Sequence, residues 1–158
     1  MNKTVKPFSP RQERFGRFVI NLFGRWQVCI YRLTGGRLWN TFLGAPVAIF
    51  TITGRKSGKP RHVPLLYVRD GDNVVIAATQ GGMSTYPIWY RNMLANPSVQ
   101  CQIGSERKEY CVRRASEVEE VRLWPLLDSI YDGYAEYRAR LEGLRDAPVM
   151  ILEPRSGE

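Results

Sequence analysis

The chain has 158 residues, 44% hydrophobic and 24% charged, which fits a single folded domain with its own core and argues against disorder except at the ends. Its net charge of +8 is uneven, since residues 1–61 carry 12 Lys/Arg against one acid, Glu13, while residues 62–158 carry 11 against 14. The basic half should therefore meet an anion (nucleic acid, membrane surface or phosphorylated ligand), whereas three scattered cysteines and one histidine exclude a zinc site and a disulfide framework.

In chain order, residues 1–10 read as a loose arm with Pro7 and Pro10. Residues 11–34 then form an amphipathic helix. Phe15, Phe18, Val19, Leu22, Phe23, Trp26, Cys29, Ile30 and Leu33 recur at spacings of three and four, opposite Arg14, Arg17, Asn21, Arg25 and Arg32. Two placements remain for it. The expectation is that the apolar stripe packs on the protein's own barrel. The alternative is a helix lying on an anionic membrane, aromatic face down. Gly35-Gly36 ends the helix.

Strands are expected at Val47–Thr53, Val63–Arg69 and Asn73–Thr79, the last two joined by Asp70-Gly71-Asp72. Pro87 opens a short helix from Ile88 to Ala95, closed by Asn96-Pro97. A hairpin follows, Ser98–Ile103 and Glu106–Arg114, turning at Gly104-Ser105. Ser116 and Glu119 form a capping box for a helix reaching Ile130. Gly133 interrupts, a second helical piece runs from Tyr134 to Leu144, and Val149–Leu152 is the last strand. Six strands with inserted helices give an α+β fold that is mainly antiparallel sheet, closed as a barrel. The single domain spans 11–154, and 155–158 are a tail.

Three features could carry chemistry. The first is Thr53-Gly-Arg-Lys-Ser-Gly-Lys-Pro-Arg61, in which Arg55, Lys56, Lys59 and Arg61 surround two glycines. Glycines let backbone N–H groups approach an anion, and the cations add charge-assisted bonds. This loop should face a cavity. The second is Ala77-Ala-Thr-Gln-Gly-Gly82 followed by Pro87-Ile-Trp-Tyr-Arg-Asn92, open backbone suited to a flat ring. The third is Tyr131, Tyr134 and Tyr137, spaced by three along one helical face and suited to a planar apolar substrate. His62, beside Arg61 at a strand start, reads as an exposed loop histidine. There is no G-x-S-x-G elbow, G-x-G-x-x-G or Walker loop. The cysteines should be reduced thiols in a cytoplasmic protein without signal peptide, and no apolar run approaches the ~18 residues of a membrane span.

Taken in order, I-T-G-R-K-S-G-K-P-R-H-V-P-L-L-Y-V-R-D-G, V-V-I-A-A-T-Q-G-G, P-I-W-Y-R-N-M-L-A-N-P-S-V, L-W-P-L-L-D-S-I-Y-D-G-Y-A-E-Y and P-V-M-I-L-E-P resemble the deazaflavin-dependent nitroreductase family of actinobacteria, over roughly residues 47–154. The resemblance implies a six-stranded split β-barrel, like that of FMN-binding and pyridoxamine-phosphate-oxidase relatives. It implies coenzyme F420 (8-hydroxy-5-deazaflavin) as cofactor and hydride transfer to a planar, electron-poor quinone, nitroaromatic or enone. By that resemblance Arg55, Lys56, Ser57 and Arg61 hold the coenzyme's acidic tail, His62 belongs to the cofactor-binding set, and Val63, Pro64, Leu65 and Leu66 lie along the ring. Ala77, Ala78, Thr79 and Gln80 line other parts, with Ile88, Trp89, Tyr90, Arg91 and Asn92 completing the pocket. Tyr134 closes over it, Tyr131 and Tyr137 meet the substrate, and Thr79 keeps a hydroxyl at the reacting end.

Two positions depart from the family. Thr79-Gln80 stands where many members have Ser-Lys, which removes a cation, and Leu66 stands where the nitroimidazole-reducing member has Tyr. An FMN-binding oxidoreductase or carrier is the alternative. A nucleic-acid module ranks below both, because the aromatics of residues 15–26 lie opposite the arginines rather than among them.

Overall fold

The computed structural model describes residues 5–156. The expected arm, residues 1–10, lies partly outside that range, as does the end of the 155–158 tail. Ser9 and Pro10 belong not to the arm but to the first helix. The Ser9 hydroxyl accepts from the Gln12 amide, and the Gln12 side chain accepts from the Ser9 amide, which closes a capping box around α1, Pro10–Leu33.

Eight strands follow α1: β1 (Thr41–Phe42), β2 (Ala45–Thr53), β3 (Pro60–Leu66), β4 (Val68–Asp70), β5 (Asn73–Ala77), β6 (Ser98–Ile103), β7 (Glu106–Arg114) and β8 (Val149–Pro154). The expected second strand, Val63–Arg69, starts earlier and breaks at Tyr67, whose amide turns to donate to the Pro46 carbonyl. That break closes the barrel. Its first half pairs β2 and its second half pairs β5, so the two ends of the order β2-β6-β7-β8-β5 are joined through one bent strand. Six barrel strands result, as the alternation of apolar residues suggests, with β1 added at an edge.

Period-two alternation sorts the residues. Ala48, Phe50 and Ile52 of β2, Val74 and Ile76 of β5, and Met150 and Leu152 of β8 point into the barrel. The helix α2 (Ile88–Ala95) adds Tyr90 and Met93 to that core. The intervening Val75, Val149 and Ile151 point outward, where α3 (Glu117–Ile130) and α4 (Gly133–Leu141) cover them with Leu123, Leu127 and Tyr134.

The packing of α1 corrects the sequence expectation. The apolar stripe does not face the barrel: Phe15 is 70% exposed, Phe18 64% and Trp26 62%. The buried positions are Glu13, Gln27, Val28 and Tyr31. Specific polar anchors decide the orientation. Glu13 accepts from the Ser84 amide (2.7 Å) and hydroxyl (2.9 Å), and the Tyr31 hydroxyl accepts from the Gly104 amide at 2.8 Å. Gly16 and Gly24 share that inward face, where a Cβ would meet Met83 at 2.8 Å and Pro64 at 3.5 Å. Ile20, between them in sequence, is 51% exposed, so α1 meets the body through small residues and polar anchors rather than through a continuous apolar stripe.

Candidate cofactor and substrate site

The basic loop is a closed turn. The Gly54 amide donates to the Lys59 carbonyl (2.9 Å), the Gly58 amide to the Gly54 carbonyl (2.8 Å), and the Ser57 hydroxyl accepts from the Lys59 amide (3.3 Å). A Cβ on Gly54 would sit 2.7 Å from the Ser57 Oγ and 3.3 Å from the Lys59 carbonyl, so a larger residue there would displace the Ser57 hydroxyl. Asn92, only 5% exposed, accepts from the Arg55 amide at 3.1 Å and fixes the loop to α2. Arg55, Lys56, Lys59 and Arg61 are all exposed, and among the described residues none of them forms an ion pair. The sequence led us to expect a cavity at this loop. Two cavities stand out, of about 370 and 240 Å³, and neither is lined by it; one lies between α3, α4 and residues 142–147, the other along the outside of α1. The loop instead opens to solvent, as four unpaired cations require.

From the loop, β3 leads inward. Val63 and Leu65 point into the barrel against Phe50 and Ala48, so only the outward residues His62, Pro64 and Leu66 can offer side chains to a ligand. Ala78 and Tyr90 are likewise core residues rather than pocket lining, and Ile88 and Arg91 face solvent. Trp89 packs at the edge of that core, perpendicular to Tyr90. His62 is not a loop residue. Arg32 Nη1 donates to its Nε2 at 2.8 Å, which leaves Nδ1 protonated and donating to the Thr51 Oγ1 at 3.0 Å. Burial, then Arg32 and Arg107, hold its pKa below the ordinary histidine value.

The end of β5 runs into a tight turn. Thr79 is right-handed (φ −84°), while Gln80 (φ 45°), Gly81 (φ 64°) and Gly82 (φ 79°) are left-handed. A right-to-left succession of this kind directs neighbouring amides into one concavity that accepts an electronegative atom. The carbonyls are held on the other side by Arg145, which donates to Ala78 (3.0 Å), Thr79 (3.0 Å) and Met83 (3.1 Å). Gln80 Oε1 and Arg140 Nε are buried with no partner among the described residues. Gly82 lets α4 approach, since a Cβ there would lie 3.2 Å from Arg140 and 3.3 Å from the Tyr137 backbone.

The three tyrosines do converge. The Tyr131 and Tyr137 hydroxyls are 2.8 Å apart, and Tyr134 packs edge-on against both rings and Trp124. Leu66 and Ala77 pack against the same cluster. Tyr134 is 4% exposed and part of the core beneath the site, not a free lid. Burial pushes the pKa of Tyr134 and of Tyr137 well above the usual tyrosine value, so both hydroxyls keep their protons at neutral pH.

β3 links these parts: the cationic loop precedes it, Pro64 lies on its outward side against Gly24 of α1, and Leu66 at its end packs on the tyrosine cluster. The six residues of extended β3 from Arg61 to Leu66, five steps apart, span about 17 Å. Sequence reasoning missed Glu13, Gly16, Gly24 and Arg145. Only Glu13 left a signal there, as the sole carboxylate of a basic half.

Residues 23–154 match the family described as F420H(2)-dependent quinone reductase. A Mycobacterium tuberculosis F420H(2)-dependent quinone reductase is 35% identical over 130 residues, covering 80% of this chain and 86% of that protein. A solved structure described as an F420-H2 dependent reductase is 38% identical, covers 68% of this chain and 94% of its own, and superposes with a TM-score of 0.63. Another, described as a domain-swapped dimer, is 32% identical, covers 92% and 100%, and has a TM-score of 0.65. The chain belongs to the F420H(2)-dependent quinone reductase family, and it is an oxidoreductase whose cofactor is coenzyme F420.

Proposed function

We propose that this enzyme reduces a planar, electron-poor acceptor of the quinone class at the end of β3 where Leu66 meets the tyrosine cluster. The observation that carries this is the placement of unpaired cations and protonated tyrosines at the two ends of β3. The residues suit the coenzyme. Arg55, Lys56 and Arg61, with the Ser57 hydroxyl, would hold its acidic tail, and the Thr79–Gly81 amides would receive an electronegative ring atom. When bound, reduced F420 supplies the hydride.

The chain's own residues then position and protonate. Pro64 and Leu66 give the ring an apolar floor. Tyr137 remains a neutral hydroxyl, hydrogen-bonded to that of Tyr131, so the pair can donate to an acceptor oxygen as negative charge develops there. Gln80 supplies an acceptor where many relatives place a cation, so tail binding rests more on the 55–61 loop. Nitroaromatic and enone acceptors fit the same chemistry, and quinones fit the apolar surroundings best.

The test is a fluorescence titration with F420, followed by turnover of F420H2 with a water-soluble quinone. Lys56→Ala should weaken F420 binding by about 1–3 kcal/mol. Tyr137→Phe should lower quinone turnover and leave F420 affinity unchanged. Equal F420 affinity after neutralising Arg55, Lys56 and Arg61 together would overturn the placement of the tail. Quinone inertness in the F420-bound wild type would overturn the acceptor.

The same reading gives α1 a second task. Its exposed stripe, within residues 11–34, rests on a membrane from which an apolar quinone reaches the reducing site. No helix among the described residues is long and apolar enough to cross a membrane, so the contact would be peripheral. A swapped dimer, as described for the relative, would cover α1 instead and would show as a doubled mass in solution.

A further inference from the structure

The turn between α1 and β2 has no role in the reductase reading, yet it is the most unusual apolar surface outside α1. Leu38 is 56% exposed, Trp39 41%, Phe42 39% and Leu43 70%. Two of these large residues adopt left-handed backbone, Trp39 at φ 58° and Leu43 at φ 49°. Bulky residues pay a conformational cost there, and such strain persists only where the surroundings impose it.

The surroundings here are specific. The Gln27 amide, 4% exposed, donates to the Trp39 carbonyl at 3.0 Å. The Leu38 amide donates to the Thr34 hydroxyl at 3.2 Å, and the Val47 amide to the Asn40 carbonyl at 2.8 Å. The turn is thus held rigidly with its apolar side chains outward. It is also continuous with α1: the Phe23 ring stacks on Trp39 at 5.3 Å, 13° from parallel, and meets Phe42 at 6.1 Å.

We infer that residues 37–44 are a second membrane-inserting element, which joins α1 in one surface for an anionic bilayer and fixes how the enzyme sits on it. Charge selects this occupant. Arg11, Arg14, Arg25 and Arg37 rim the patch, all exposed and none in an ion pair among the described residues. The one carboxylate of residues 5–44, Glu13, is buried and bonded to Ser84. A second copy would bring the same arginines against themselves. An anionic headgroup layer neutralises them while the aromatic and leucine side chains enter the acyl boundary. Trp39 has an amphipathic ring of the kind enriched at that depth.

The inference rests on the membrane placement of α1 and is separable from it. Cosedimentation of the full chain with phosphatidylglycerol–phosphatidylcholine vesicles, against pure phosphatidylcholine, reads partition directly. Leu38→Ser/Leu43→Ser should reduce partition about tenfold or more. Turnover of a water-soluble quinone and Tm should stay at wild-type values. Brominated lipid should quench part of the tryptophan fluorescence in a Trp26→Phe background, and that part should vanish when Trp39→Phe is added, Trp89 and Trp124 being common to both. Leu43→Ser alone, at the most exposed site, guards against misfolding and should give part of the loss. Unchanged partition in the double variant, with loss in Phe18→Ser/Leu22→Ser, would overturn the second element and leave α1 standing. Absence of wild-type binding to anionic vesicles would overturn both, as would a stable dimer that these serine variants convert to monomer.

Discussion

Glu13 shows how one side chain sets the orientation of a helix. It is the only acid in the first 61 residues, it is 7% exposed, and both its carboxylate oxygens are bonded to Ser84. Glu13→Ala should destabilise the protein by about 1–3 kcal/mol and release α1 before the barrel, seen as early amide exchange in residues 10–26. His62 is the matching anchor at the other end. Its folded pKa is depressed by burial, Arg32 and Arg107, so the unfolded state binds the proton more readily. The stability it contributes is present above the ordinary histidine value, near 6.5, and is lost as pH falls below that value. The Tm should therefore fall between pH 7 and pH 5, and His62→Gln should flatten that portion of the profile.

Among elements, the turn at residues 79–82 depends on a neighbour that no local pattern announces. Arg145 donates to the Ala78, Thr79 and Met83 carbonyls, and Gly82 admits α4. Gly82→Ala faces both a φ of +79° and a close approach to Tyr137, so it should cost about 1–2 kcal/mol and weaken F420 binding. Gly71→Ala has the same kind of φ, +60°, but open space, and should cost less and leave binding alone. A calorimetric Tm and an F420 titration on both variants check the contrast. α3 and α4 were readable from Ser116, Glu119 and Gly133, because capping and helix-breaking are local. That Tyr131 and Tyr137 would share a hydrogen bond was not, because it depends on how the two helices meet.

At the scale of the whole molecule, closure through the bent β3/β4 strand makes the barrel interior the most protected region. Cys101 inside it has its pKa pushed up to about 12 by burial, whereas Cys29 and Cys111 are exposed. Thiol titration of the native enzyme should find two reactive cysteines, the third reacting only on unfolding.

The sequence alone located the six barrel strands, though not β1 or the break at Tyr67, and the three motifs in order, because alternation, turn residues and caps act over a few neighbours. It determined the family as well, since the ordered motifs run along most of the chain, and with it F420 chemistry. Tertiary structure decided what periodicity cannot. It turned Val63, Leu65, Ala78 and Tyr90 into the core and left Leu66 at the tyrosines. It also set α1 on glycines and polar anchors with its aromatic stripe exposed. An amphipathic pattern states that a face needs cover. Only the packed chain shows whether its own body provides it, and here Glu13, Tyr31 and Arg32 dock a different face.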